Sequence, residues 1–566
     1  MTTPRPISIF SAILLFGFLI WICCNPNEPL SPQSAEEDQI IRHVENITTY
    51  ETWESNKTHI IATAISIENA VLRIKPGTTI QLEQAASISI NNRAGFIADG
   101  SDKPIIFTSS NSKKGSWNYI FFADGAQDDS CRLSHCQFKY GGGDLTRGAV
   151  IHCENISPTI TGCTIDSSLS SGVNLIGDCR DIQFYDNKIS NCEYVPIQTY
   201  ANNVASIGSN NYQDNGIEQI RIIDGNITSD ATWQNLSIPF RIADGLKIKN
   251  AKLIIKPSVK LLFDYDEGVT VSEGASLEAV GTPSELIIFD RGWNGPWRDI
   301  HFTPSANDVE SKLIYCEIEY GGQDGNFPAN LILEDASPEI SNCFIRHSHG
   351  YGVYFSGKIK PGRFDNNTIT KNALAPISVP ANAVFGLGTG TYSGNGSDVI
   401  EVRANFLEQP IQMNGHWLNL GVPYRIQGTV QIQSSTLIFA PGVNIQMAER
   451  SGFEILVNGG LIADGTENLI SIEGSQPIIG IWNHIYFSNF ANANNCQLIN
   501  CRIRYGGGDL NRPGMIVCDN VSPIIRNCVI ENSQTYGIYT TGVANISDLQ
   551  SNIFSGNVYG DFFKSP

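Results

Sequence analysis

Two loops of the chain place an arginine three residues after an aspartate. GGGDLTR carries Asp144 and Arg147, and GGGDLNR carries Asp509 and Arg512. A third loop, GGQDGNF, keeps Asp324 and has no arginine. Successive glycines permit left-handed or close-approach backbone. A carboxylate beside a guanidinium can hold a ligand hydroxyl or carboxylate. The plainer expectation is an internal ion pair that closes a turn. Aromatic residues offer a second chemistry. Trp293 and Trp297 in WNGPW, with Tyr351 and Tyr354, are of the type that stacks on sugar rings. Trp297 alternates with apolar neighbours, as Trp117 and Trp482 do, which places these three in a core or at a corner.

Acid–base chemistry has weaker candidates. Glycoside hydrolysis needs two or three carboxylates held across a cleft. Asp128 and Asp129 are adjacent, and Asp264 and Asp266 lie near Lys256 and Lys260. Each group reads more simply as a solvated turn. No Ser-His-Asp arrangement, P-loop or HExxH run occurs, so no residue is assigned a catalytic role. No CxxC pair and no close histidine pair marks a metal site. No cofactor is expected. The formal charge of -19 is compatible with weak Ca2+ binding and more simply with solubility, and it disfavours nucleic acid as a partner.

The elements that must carry these residues are strands. Charged residues make up 16% of the 566 and apolar residues 41%, with 52 glycines. That balance favours strands and tight turns. Strings such as LRIKPGTTIQLEQAASISI alternate apolar and polar residues, so side chains point in and out by turns. No sustained helical period follows the first residues. Near the N-terminus, Ile7 to Ile22 is an uncharged apolar run after Arg5, followed by Cys23, Cys24 and a polar, acid-rich stretch. This has the form of an export signal over residues 1–24, and it resembles a bacterial lipoprotein signal. The resemblance implies lipidation at Cys23 or Cys24, a membrane contact only through that anchor or signal, and a secreted or outer-membrane surface location. Residues 25–46 read as a flexible tether.

Self-similarity is strong along the rest of the chain. YGGGDLTRGAVIHCENISPTITGCTI starts at Tyr140, YGGQDGNFPANLILEDASPEISNCFI at Tyr320 and YGGGDLNRPGMIVCDNVSPIIRNCVI at Tyr505. Trp117, Trp297 and Trp482 keep the same steps, and Trp53, Trp233 and Trp417 step similarly. Three copies of about 180 residues follow: 47–225, 226–409 and 410–566. Within a copy, Cys136, Cys163 and Asn187 recur at coil-sized intervals. Cys316, Cys343 and Asn367, and then Cys501, Cys528 and Asn552, repeat that spacing. Coils of that length would stack equivalent residues at strand spacing, about 4.8 Å, and roughly twenty of them would span on the order of 100 Å.

The order of tryptophan, I-x-PG turn, IADGSDKPIIF-like step (97–107, 279–289, 462–472), second tryptophan and C-I-YGG strand resembles the right-handed parallel β-helix repeat proteins of bacterial surfaces. The resemblance implies an all-β, right-handed parallel β-helix over about residues 47 to 566. The three copies could form separate short helices, but no Pro- or Ser-rich linker occurs near residues 225 or 409, which favours one continuous solenoid. It says little about function, since such coils carry enzymes, adhesins and stalks. Enzymes of this fold mostly cut acidic polysaccharides, but the accompanying motifs of polygalacturonases are missing here. HSHG, from His347 to Gly350, is only a faint echo of one. The chain therefore reads as a structural or binding protein, adhesin-like, with a polysaccharide or a surface protein as partner. The alternative is a polysaccharide lyase or glycoside hydrolase.

Of the 14 cysteines, those of the Cys–Cys–Asn series sit among apolar residues as small hydrophobes. Cys131 and Cys153 have the same separation as Cys496 and Cys518, whereas the second copy is read as having Ser311 and Glu334 there. Joint loss suggests bonded pairs, Cys131–Cys153 and Cys496–Cys518, in an oxidising compartment.

Overall fold

The computed structural model describes residues 39–293, 295–357, 362–404 and 409–565. The expected signal, with Cys23 and Cys24, lies outside them, as does the expected tether up to residue 38. Residues 39–46 include the first strand, Gln39–His43. From Ile40 on, the chain is one compact unit. It is an all-β parallel solenoid of about 21 stacked turns.

The alternation seen in the sequence sets each strand's two faces. Thr79–Leu82 buries Ile80 and Leu82 and leaves Thr79 and Gln81 half-exposed. Lys252–Ile255 and Thr436–Phe439 repeat that pattern. Strands end where a residue enters the left-handed region. Tyr140, Ser167 and Asn191, on successive turns, have φ of 67°, 59° and 55°. A tyrosine is an unusual occupant of that region. It is held there by the buried tryptophan beneath: Trp117, Trp297 and Trp482 donate Nε1–H to the carbonyls of Lys139, Glu319 and Arg504, at 2.7, 2.5 and 2.8 Å. Each carbonyl belongs to the residue before Tyr140, Tyr320 or Tyr505. The next residue must be glycine, because a Cβ on Gly141 or Gly506 would lie 2.7 or 2.6 Å from the indole ring. The YGG glycines thus serve the corner, and the tryptophans belong to the core.

The Cys–Cys–Asn series stacks. Gln137 pairs with Thr164, and Thr164 with Lys188, so Cys136, Cys163 and Asn187 fall on consecutive rungs. Asn187 Oδ1 accepts from the Cys163 N–H at 2.9 Å, and its Nδ2 donates to the Ile160 carbonyl at 2.9 Å. Asn367 and Asn552 make the same two bonds to Cys343 and Ile340 and to Cys528 and Ile525. One alignment needs correction. Phe122 pairs with Cys153 and Phe487 with Cys518, whereas Phe302 pairs with Leu333. The residue in place of the cysteine is therefore Leu333, an inward-facing apolar side chain, and not Glu334.

Strand pairing passes through residue 225 without a break, since Ile220–Asp224 pairs with Ile197–Tyr200 on one side and Phe240–Ile242 on the other. The pairing carries an offset. Gln39–His43 begins an eight-stranded sheet, yet its sequence counterpart Ile220–Asp224 lies in the neighbouring fourteen-stranded sheet, and Ile400–Ala404 in the nineteen-stranded one. Eight strands make seven steps, so counterparts recur after about seven and a third turns. Each copy is advanced by one sheet.

Candidate ligand-binding surface

The loops that pair aspartate with arginine are built differently from either expectation. Asp144 Oδ1 accepts the backbone N–H groups of Thr146 and Arg147, at 2.8 and 3.4 Å. Asp324 does the same for Asn326 and Phe327, and Asp509 for Asn511. The aspartate shapes its own turn. The arginine leaves the loop and lies on the outer face of the sheet. The Arg147 guanidinium sits 3.5 Å from the Phe121 ring centre and 5.1 Å from that of Tyr119. Arg512 sits 4.0 Å from the Tyr486 ring and 2.8 Å from Glu454 Oε1. Neither forms an ion pair with the aspartate of its own loop. Beside Arg147 a recess of about 330 Å³ is lined by Leu145, Leu169, Asn174, Tyr194 and Gln198. The second-copy loop brings Phe327 against Tyr354, 4.9 Å apart, with Tyr351 5.9 Å from Tyr354. The three loops lie on separate turns and over different sheet faces, so Asp144, Asp324 and Asp509 form no composite site.

The position just before each outward strand faces its loop. Tyr119, Asp299 and His484 are counterparts there. His484 is 4% exposed, with Nδ1 3.6 Å from Asp509 Oδ2. Burial, with help from Arg512, pushes it down to about 4. Asp299 is 1% exposed and its Oδ2 has no hydrogen-bond partner. Burial pushes its carboxyl up to about 7; Arg298 opposes, while the charges of Asp324 and Asp266 add to the rise.

A second recess, about 380 Å³, is lined by Asp290, Arg291, Gly292, Trp293 and Tyr320. Its lining comes from two successive turns, and its support from the two turns before them. Arg241 is buried and holds Asp264 through Nε–Oδ1 at 2.9 Å. Its guanidinium lies 4.0 Å from the Trp293 ring centre, so one face of the indole is supported and the side chain stays 57% exposed. The Arg291 guanidinium lies 3.9 Å from the Tyr320 ring, which in turn stacks on His347 at 4.8 Å. Tyr265 is 61% exposed and accepts from Gln323 Nε2 at 2.9 Å. Of the two aromatics in WNGPW, Trp293 is therefore a surface residue and Trp297 a core residue. Asp264 and Lys260 are engaged with Arg241 and Asp290, and Asp128 and Asp129 are exposed in a short 3-10 turn.

Arg291, Tyr320, Tyr265 and Asp299 were not singled out by sequence. The available signal was departure from the repeat: Trp293 stands where the other copies have Lys113 and Ile478. All twelve described cysteines are buried, and in the structure none is bonded to another, Cys131, Cys153, Cys496 and Cys518 among them. Among the described residues no cluster of three or more metal-ligating side chains occurs. The fold and surface define the class as a parallel β-solenoid with aromatic and arginine-bearing outer faces. No protein-family model matches the chain, and no curated protein or solved structure matches it significantly.

Proposed function

We propose that this is an exported, surface-anchored β-helix protein that binds carbohydrate on its outer faces, with the Trp293 recess as its principal site. One observation carries the reading: an exposed indole, backed on one face by a buried arginine, beside a second aromatic ring and a cation. Sugar rings present C–H faces to aromatic surfaces, and their hydroxyls and carboxylates seek fixed donors. Among the described residues Arg291 has no carboxylate partner, which favours an acidic saccharide over a neutral one. The Arg147 recess, with Tyr194, Gln198 and Asn174, supplies a second place for such contacts. Export and anchoring rest on the N-terminal signal, and the right-handed sense on the resemblance of the repeat.

The test uses panels of acidic and neutral polysaccharides, with retention and chain cleavage followed on the same samples. Retention of acidic chains without new ends is the expected result. Neither retention nor cleavage would overturn the reading and leave a scaffold. A second reading, a lyase or hydrolase, is favoured by Asp299, a carboxyl protonated near neutral pH beside Asp324 and Asp266 as a general acid would be. New reducing or unsaturated ends that vanish in Asp299→Asn would establish it.

A further inference from the structure

The three Cys–Cys–Asn series contain an arrangement that the core reading of the cysteines does not use. Gln137 pairs with Thr164, Glu317 with Phe344 and Arg502 with Val529. The residues just before them, Cys136 and Cys163, Cys316 and Cys343, and Cys501 and Cys528, therefore sit side by side on neighbouring strands. All six are buried in the core, where each thiol donates to backbone carbonyls. Neighbouring strands run about 4.8 Å apart, inside the Cα separation of about 4.4–6.8 Å that a disulfide spans. From that spacing the Cβ atoms must draw together by about 1 Å to reach the mean disulfide separation of about 3.8 Å.

Each pair is also isolated. The rung below is Ile105, Ile287 or Ile470. The rung above is Asn187, Asn367 or Asn552, whose side chain holds the second cysteine's N–H. Neither neighbour is oxidisable, so each cysteine has one partner along its ladder. By contrast, Cys131 is on the six-stranded sheet and Cys153 on the fourteen-stranded one.

We propose that Cys136–Cys163, Cys316–Cys343 and Cys501–Cys528 are oxidised to three disulfides, each stapling one turn of the solenoid to the next. The co-reactant is a disulfide oxidant acting by thiol–disulfide exchange. In each staple two S–H bonds break and one S–S bond forms. The oxidant's S–S bond takes the two electrons and two protons and leaves as two thiols. The step belongs to folding, because the packed turns bury all six sulfurs, and reductants then have no access to the finished bonds.

The test refolds the full chain in a buffer of oxidised and reduced glutathione, traps free thiols under denaturing conditions and maps the cross-linked peptides. The expected result is the three named bridges, each two hydrogens lighter than its reduced form. Full oxidation should raise the denaturant midpoint, and Cys163→Ala should remove part of that rise while the protein still folds. Free thiols at all six positions would overturn the proposal, as would bridges confined to Cys131–Cys153 and Cys496–Cys518. Since no ligand enters the measurement, failure of the carbohydrate reading would not affect it.

Discussion

At the scale of single residues, the same few contacts recur wherever the chain must turn a corner or seal a rung. Gly141 lies against Trp117, so Gly141→Ala forces a Cβ to 2.7 Å from the ring and should cost about 1–3 kcal/mol in denaturant unfolding. Asn187→Ala strands the Cys163 N–H and the Ile160 carbonyl, with a cost of about 1–3 kcal/mol for each group left unpaired in the core. Asp299 makes stability depend on pH in a defined sense. Its folded pKa, about 7, exceeds the unfolded value of about 4. The protonated form therefore contributes stability that is fully present below about pH 4 and is lost as pH rises through about 7. Asp299→Asn should raise the denaturation midpoint at alkaline pH by the equivalent of a few kcal/mol and change it little in acid; an equal effect at both ends would contradict the assignment. Trp117, Trp297 and the Cys–Cys–Asn rungs were legible as core, because alternation and spacing report which side chains turn inward. The direction of Arg147 was not, because nothing in GGGDLTR says whether the guanidinium returns to its own aspartate or lies on Phe121.

At the scale of elements, strands are short and corners do the organising. Tyr424–Ile432 shows this best. Its first half pairs with Asn444–Met447 and its second with Gly452–Ile455, so one strand serves two sides. It bends at Gly428, where φ is 96°. Gly428→Val should cost at least about 1–3 kcal/mol and should raise hydrogen exchange first in residues 424–474. Unchanged exchange there would mean that the bend is not needed. The Trp293 recess was hidden from sequence for a related reason. Arg241 with Asp264, Arg291 with Trp293, and Tyr320 come from different turns, separated by tens of residues, and only stacking brings them together. Trp293 itself was legible as a sugar-stacking candidate, whereas the residues that surround it were not, since nothing in the spacing of the copies says which side chains meet across turns.

At the scale of the molecule, the offset of one sheet per copy means that counterpart loops look out over different faces, so the chain presents separate surfaces in place of one repeated stripe. The even spacing of the copies did not reveal this, because coil length varies and a third of a turn is lost in that variation. Each turn contacts mainly its neighbours, as in other solenoids. Trp117→Ala should therefore raise hydrogen exchange around residues 86–170 well before the segment around Trp482 responds, and a uniform rise would argue for a single cooperative unit. Carbohydrate binding at the Trp293 recess is the central claim. Its most direct test is a calorimetric titration of the full chain with an acidic oligosaccharide, beside Trp293→Ala and Arg291→Met. Binding by the parent chain, weakened about tenfold or more in each variant (about 1.4 kcal/mol) with melting temperature unchanged, is the predicted result. Equal affinity in all three proteins would place the ligand elsewhere and contradict the claim.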